Sequence, residues 1–366
     1  MILLKENARR FKSESISLPE IIIQHCVSGE FILKSSVASL EQNLSNSFAF
    51  GEEVIAVSST FFATTIALKA MGIGVNDEIL VPAYGYETTL AAILSLGASP
   101  IFVDVSIDNF MISPESFEDA IPARPSAIVA TNLYGGAVDL MGFNSLFGPT
   151  PRLFTDGNNS FGTHCARSSD QRLTDASVYS LSPDAQLAGI GEGGVVVTSD
   201  QRIARICRML RNHGQDGKKR FLHHTLGFNS RMDDINAAII LNRVSRLDAE
   251  SDRRRKIARR YADAISGTSL VFPHATTKDQ VPTEFVVLVE DYTSFLDHMT
   301  RNGVEVGRPS AICLPQHHAF RWLVRPGTTF RNASFIGERA VSIPFYPEMT
   351  EDEIGGVALA MEGYHG

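Results

Sequence analysis

Over residues 52–200, short runs rich in Val and Ile alternate with stretches whose apolar residues return every three to four positions. EEVIAVSS (52–59), DEILVPA (77–83), SPIFVDV (99–105), SAIVATNLYG (126–135), RLFTDG (152–157), DASVYSL (175–181) and GGVVVTSD (193–200) have the length and composition of strands. FATTIALKAMGI (62–73) and ETTLAAILSLGA (87–98) have the period of helices. Strand, helix and strand in succession need a crossover, so the pattern predicts an α/β fold on a parallel or mixed sheet. The strands are almost continuously apolar, as burial of both sheet faces demands.

The second half changes in texture. A helix at 201–212 leads into a polar stretch with a small basic cluster, HGQDGKKRFLHH (213–224), and an Arg-rich helix at 251–265 follows. Beyond Gly267, EFVVLVED (284–291), TSFLDHMTRNGVEVG (293–307) and RAVSIPF (339–345) read as a smaller α+β unit. Its last helix opens with a capping box, Thr350 and Glu353. The expected division is an N-terminal segment and large domain over 1–250, then a linking helix and small domain over 251–366. A chain of 366 residues, 44% hydrophobic, has enough material for two such cores.

Several functions are disfavoured. A formal charge of −8 and Arg residues spaced on a helical period fit a solvated helix face better than a nucleic-acid surface. Cys26, Cys165, Cys207 and Cys313 are far apart and match neither a disulfide framework nor a zinc pattern, so reduced thiols and no metal are expected. No apolar run has the length of a membrane helix, and a cytoplasmic protein is expected.

Five strings in order carry a resemblance: residues 67–105, NLYGGAVDL (132–140), GEGGVVVTSD (191–200), RNHG (211–214) and GFNSRMDDINAAI (227–239). Nearly the whole chain resembles the DegT/StrS family of sugar aminotransferases, fold type I enzymes that use pyridoxal phosphate (PLP). The resemblance implies a fold type I aminotransferase-like large domain with a smaller C-terminal α+β domain. It implies that Asp156 pairs with the pyridine nitrogen of the cofactor and that Tyr86 stacks on its ring. Read without the resemblance, Asp156 is a turn residue at a strand end and Tyr86 a cleft aromatic. Ser180 and Asn229 match partners of the cofactor phosphate, the second reaching over from a neighbouring subunit, which implies a homodimer. RNHG and Arg231 match positions near the site and the subunit interface.

Other positions depart from the family pattern. Aligned on Gly191-Glu192-Gly193-Gly194, the lysine that would hold the cofactor falls on Ala185, and no lysine lies between Lys69 and Lys218. The phosphate turn reads Thr60-Phe61-Phe62, two bulky aromatics that would fill the site. Asn159, Phe161 and Asn132 replace a Gln and two His of the family pattern. Lys34, Lys218 and Lys219 are the alternative amines considered.

These departures lead to the expectation of a pseudo-aminotransferase with no cofactor. It would act on a sugar or natural-product intermediate by PLP-independent acid/base chemistry through Asp156, His213, Asn159 and Tyr86, with Glu87 and Asp184 nearby. Two alternatives stay open: a non-catalytic partner of an active paralogue or pathway enzyme, and a weak aminotransferase binding PLP or pyridoxamine phosphate (PMP) non-covalently.

Overall fold

Apolar runs with no polar face can only be buried on both sides, and the strands here are: all five residues of Ala127–Thr131 and of Gly194–Thr198 are inaccessible. The computed structural model describes residues 1–48, 52–113, 125–147, 151–161, 174–219, 221–273 and 280–365. Cys165 lies outside the described residues, and Cys26, Cys207 and Cys313 are free thiols.

The N-terminal segment forms α1 (Asn7–Ser13), α2 (Ser17–Ser28) and α3 (Ser35–Ser47). The strand-and-helix series follows as β1 (Glu53–Val57), α4 (Thr60–Ala70), β2 (Glu78–Pro82), α5 (Glu87–Ser95), β3 (Ser99–Val103) and β4 (Ala127–Thr131). It continues with α6 (Leu140–Phe147), β5 (Arg152–Asn158), β6 (Ala176–Ser180), β7 (Gly194–Thr198) and α7 (Gln201–Arg211). Two more helices, α8 (Asp234–Val244) and α9 (Leu247–Ile265), lead to β8 (Phe285–Leu288), α10 (Tyr292–Arg301), α11 (Arg331–Arg339), β9 (Ala340–Ile343) and α12 (Glu351–Glu362).

One seven-stranded sheet runs β1-β7-β6-β5-β4-β2-β3. Strands β2 to β6 pair in parallel, and β7 is antiparallel to both its neighbours. The carboxyl ends of β1, β2, β5 and β6 therefore open on one edge, where ligands of such sheets bind. A register shift between Asp156 and Asn158 breaks the β5–β6 ladder at that edge. Gly157 makes the shift feasible, because a Cβ there would stand 2.4 Å from the Tyr179 ring. A bulge of this kind re-aims the side chain beside it, here Asp156.

A second core gathers around the antiparallel pair β8–β9, with Tyr261, Phe285, Phe295, Met299 and Met361 fully enclosed. Helix α9 belongs to both cores: Leu247 packs with the large sheet's outer layer, and Ile257 with the small unit. The capping box forms on α12, Thr350 accepting from the Glu353 N–H and Glu353 from the Thr350 N–H. The expected solvated face of α9 needs one correction. Arg254 is buried, since it shares a helix face with Ser251, Ala258 and Tyr261, and it donates to the Thr283 carbonyl at 3.2 Å. Arg253 and Arg260 do behave as outer residues and pair with Glu351.

The N-terminal segment crosses between the two units. Ile2 bridges to Val304 of the small unit, and Arg9 makes a two-pronged ion pair with Glu353 at 2.6 and 2.7 Å. Arg10 turns the other way and donates to the Ala185 carbonyl in the loop between β6 and β7.

Candidate active site

Asp156 is the centre of the site. It ends β5 with no solvent exposure, and its Oδ2 accepts the Thr89 hydroxyl of α5 at 2.5 Å. Oδ1 has no hydrogen-bond partner among the described residues. An enclosed carboxylate oxygen without a donor among the described residues is costly, and a donor from outside them would relieve it. Burial pushes the Asp156 carboxyl up to about 6, against the lowering effect of the Thr89 hydroxyl and the Asn158 N–H. A cationic ring N–H fits the bare oxygen, because it would supply both the missing hydrogen bond and a countercharge.

Tyr86 precedes α5 on the same edge. Its phenol is held well above its ordinary pKa by burial and by the carboxylates of Glu284 and Asp156, so it stays protonated. Ser180 ends β6 and is buried; its hydroxyl bonds to the Ser182 hydroxyl at 3.0 Å and shapes the start of the loop. Thr60 opens α4, and Ser59 caps the helix by accepting from the Phe62 N–H. The two phenylalanines were expected to fill the site. Phe62 packs against the main core and the Phe228 ring, 5.6 Å between centroids, and Phe61 stands edge-on to it. Phe161 joins the layer behind the sheet between Phe48 and Tyr179. Asn132 Oδ1 accepts from the Val138 N–H, a turn-forming role.

Asn229 is exposed, its side chain accepting from Arg231, and the neighbouring Ser230 hydroxyl lies 3.1 Å from that of Ser58 at the end of β1. His213 sits in a left-handed turn after α7. Its N–H donates to the Phe228 carbonyl and its carbonyl meets the His223 ring, and no contact among the described residues joins it to Asp156. Lys34, Lys218 and Lys219 are exposed, which gives none of them the enclosure of the Asp156 cleft.

Ala185 is enclosed, with its N–H bonded to the Ser182 carbonyl. It presents a methyl group and no amine. Its flanking residues Asp184 and Gln186, together with Asn159, line a cavity of about 60 Å³ between the loop, the N-terminal segment and the small unit. The lysine in that lining is Lys5, whose Nζ lies 3.8 Å from Asp184 Oδ2. Glu284 also lines it, and its carboxylate acts on the Tyr86 phenol. Sequence reasoning missed Lys5, Gln186, Arg254 and Tyr346 here. They come from four separated segments, and only Gln186, next to Ala185, carried a positional signal.

Residues 19–362 match the DegT/DnrJ/EryC1/StrS aminotransferase family. The chain is 31% identical over 339 residues to the UDP-N-acetyl-3-dehydro-alpha-D-glucosamine 3-aminotransferase of Acidithiobacillus ferrooxidans, covering 90% of this chain and 89% of the relative. It is 29% identical over 341 residues to the dTDP-3-amino-3,6-dideoxy-alpha-D-galactopyranose transaminase of Aneurinibacillus thermoaerophilus, covering 92% of each. The crystal structure of S. venezuelae DesV in complex with a ketimine intermediate superposes with a TM-score of 0.90 at 25% identity, over 99% of this chain and 97% of that one. The fold is fold type I aminotransferase-like.

These findings overturn the expectation of a cofactor-free enzyme, that of a non-catalytic partner and that of weak residual cofactor binding. Full-length relatives are named sugar aminotransferases, and nothing in the comparison indicates lost activity. The expectation rested on Ala185 and the Thr60–Phe62 turn, whereas the relatives that match nearly the whole chain are named aminotransferases. A PLP-type cofactor replaces the earlier expectation of none.

Proposed function

Because the chain belongs to the DegT/DnrJ/EryC1/StrS aminotransferase family, we propose that it transfers an amino group to a keto carbon of a nucleotide-linked sugar, with PLP or PMP held on Asp156. The bare, buried Oδ1 of Asp156 is the observation that carries this reading. When bound, the cofactor supplies an electron sink for the carbon that gains or loses the amino group.

The chain's own residues do the rest. Asp156 Oδ1 would hold the ring N–H of the cofactor, while Thr89 fixes the carboxylate through Oδ2. Tyr86 walls the ring with a phenol that stays neutral. The start of α4, opened by Ser59 and Thr60, would present its helix N-terminus to a phosphate. Asn159, which lines the cavity beside the β6–β7 loop, is assigned a substrate contact in this reading. Asn229, exposed beside Ser58, suits a contribution across a homodimer interface, and free thiols at Cys26, Cys207 and Cys313 suit a cytoplasmic setting.

The test is an absorbance spectrum of the protein after incubation with PLP and desalting, with borohydride treatment and intact mass to locate any covalent attachment. Amino transfer from an amino acid to a UDP-linked 3-keto sugar is assayed on the same preparation. Retained cofactor absorbance with transfer supports the reading. Loss of all cofactor on desalting and no transfer would sink it.

A further inference from the structure

Arg254 of α9 is 6% exposed, yet no carboxylate among the described residues pairs with it. Its one hydrogen bond runs from Nη1 to the Thr283 carbonyl at 3.2 Å, which leaves Nε and Nη2 without an acceptor. Neither nitrogen is among the unpartnered side-chain atoms that are sealed off by their surroundings, and Arg254 lines the cavity of about 60 Å³ beneath the N-terminal segment. One edge of an enclosed guanidinium, with two N–H groups side by side, is therefore open to a ligand. Burial and the nearby Arg10 draw the Arg254 pKa down to about 10, and Glu250, Glu348 and Glu284 offset this only in part, as befits a cation short of countercharge.

Most other charges of the lining have partners of their own. Asp184 accepts from Asn7 at 2.7 Å and stands 3.8 Å from Lys5, Glu348 pairs with Arg10 at 3.2 Å, and Glu6 pairs with Arg9 at 2.6 Å. Glu284 differs: its Oε2 accepts the Ser342 hydroxyl at 3.2 Å, and no cation among the described residues pairs with it. The cavity thus holds one enclosed cation and one carboxylate that act on each other through space without bonding. A lone anion on Arg254 would meet the repulsion of Glu284, and a lone cation on Glu284 that of Arg254. A ligand carrying both signs on neighbouring atoms satisfies both. The guanidinium edge matches the two oxygens of a planar carboxylate, and Glu284 matches an ammonium. Leu4, Ile343 and Phe345 add apolar lining for a short side chain, and the volume is several times what one water needs.

We propose that this cavity binds a small apolar α-amino acid, with its carboxylate on Arg254 and its ammonium on Glu284. The site uses no atom of Asp156, Thr89 or Tyr86, so it is a site of its own and stands whether or not the protein transfers amino groups.

Isothermal titration of the full-length protein with L-alanine, propionate and ethylamine tests it. L-Alanine should bind at least about tenfold more tightly than propionate, which lacks the ammonium, or ethylamine, which lacks the carboxylate, since each charge-assisted bond is worth that much. Arg254→Met replaces an enclosed cation by an apolar chain of similar length, so the fold should hold while L-alanine affinity falls at least about tenfold. Glu284→Gln keeps the shape, removes the countercharge and should weaken L-alanine to a similar degree, which preserves the test if Arg254→Met fails to fold. Asp156→Asn should leave L-alanine affinity within about twofold of wild type, with or without added PLP. No binding of L-alanine, binding of propionate or ethylamine as tight as that of L-alanine, or an affinity that survives both Arg254→Met and Glu284→Gln would each overturn the proposal. Loss of L-alanine binding in Asp156→Asn would overturn it too, by placing the amino acid at the Asp156 centre, and would leave the amino-transfer reading untouched.

Discussion

Arg243 of α8 and Glu14 of the N-terminal segment, 229 positions apart, form an ion pair with side chains 4% and 2% exposed. The guanidinium uses Nε and one terminal nitrogen on the carboxylate and gives the other to the Ala188 carbonyl at 2.5 Å. One side chain thus holds the N-terminal segment against the loop that flanks the site. Arg246 bonds the same carboxylate.

A buried pair of this kind is expensive to break from one side, since the survivor stays charged and enclosed. Glu14→Gln is expected to cost about 3–5 kcal/mol in urea unfolding, whereas Glu14→Leu combined with Arg243→Met should cost far less. Burial raises the Glu14 pKa, but the bonds and charges of Arg243 and Arg246 outweigh it and hold the carboxyl below its usual range. The folded state therefore binds the proton more weakly than the unfolded one. The contribution is complete above about pH 4.3, the unfolded value, and disappears as pH falls through the lower folded value. A Glu14→Gln variant whose acid unfolding matches wild type would contradict this.

Asp156 has the opposite sign. Its folded pKa of about 6 lies above the unfolded value, so the folded state binds the proton more tightly and stability falls as pH rises from about 4 to about 6. The deficit that persists above that window is on the order of 2–3 kcal/mol for a fully enclosed group. Asp156→Asn should melt higher than wild type at pH 8, with little difference at pH 4, while retaining PLP at least tenfold less well in an absorbance titration. Thermal melts at both pH values decide it, and equal melting at pH 8 would show that the carboxylate is not the source of strain.

Thr89 supplies the hydroxyl that opposes this burial effect. Thr89→Val keeps the shape and removes the donor, so the Asp156 pKa should move above about 6 and the pH at which cofactor binding reaches half its maximum should rise with it. A titration of PLP affinity against pH in the two proteins reads the shift directly. An unchanged midpoint would mean that Thr89 has no hold on the carboxylate.

The mixed sheet was legible because strands such as 127–131 and 194–198 are almost continuously apolar, as burial on both faces demands. The place of Asp156 near a strand end was legible as well. The cavity beside the β6–β7 loop was not. Its lining comes in part from that loop and from positions 283 and 346, and no periodicity links a Gln at 186 to a Tyr at 346. The packing of Phe62 was hidden for a related reason: residue size is readable from sequence, but its contact with Phe228 depends on a segment more than a hundred residues away. The buried Arg254 was hidden among neighbouring arginines that do face outward.

Lys34 gives the last prediction, because its side chain and its backbone have different roles. The side chain is exposed, while the backbone N–H donates to Asp234 Oδ2 at 2.6 Å; Oδ1 of the same carboxylate accepts from the Ser36 and Val37 N–H groups at 2.9 and 3.2 Å. Asp234, with no exposure of its own, therefore caps α3 from the first turn of α8 and substitutes for the side-chain cap that position 34 lacks. Asp234→Ala leaves those N–H groups without an acceptor in a dry contact and should cost about 2–4 kcal/mol in urea unfolding. Lys34→Ala touches none of this and should stay within about 0.5 kcal/mol of wild type with amino transfer unchanged. If Lys34→Ala instead abolished transfer while the fold held, the amine at position 34 would have to reach a site, and the account of this residue as a surface lysine on a capped helix would be wrong.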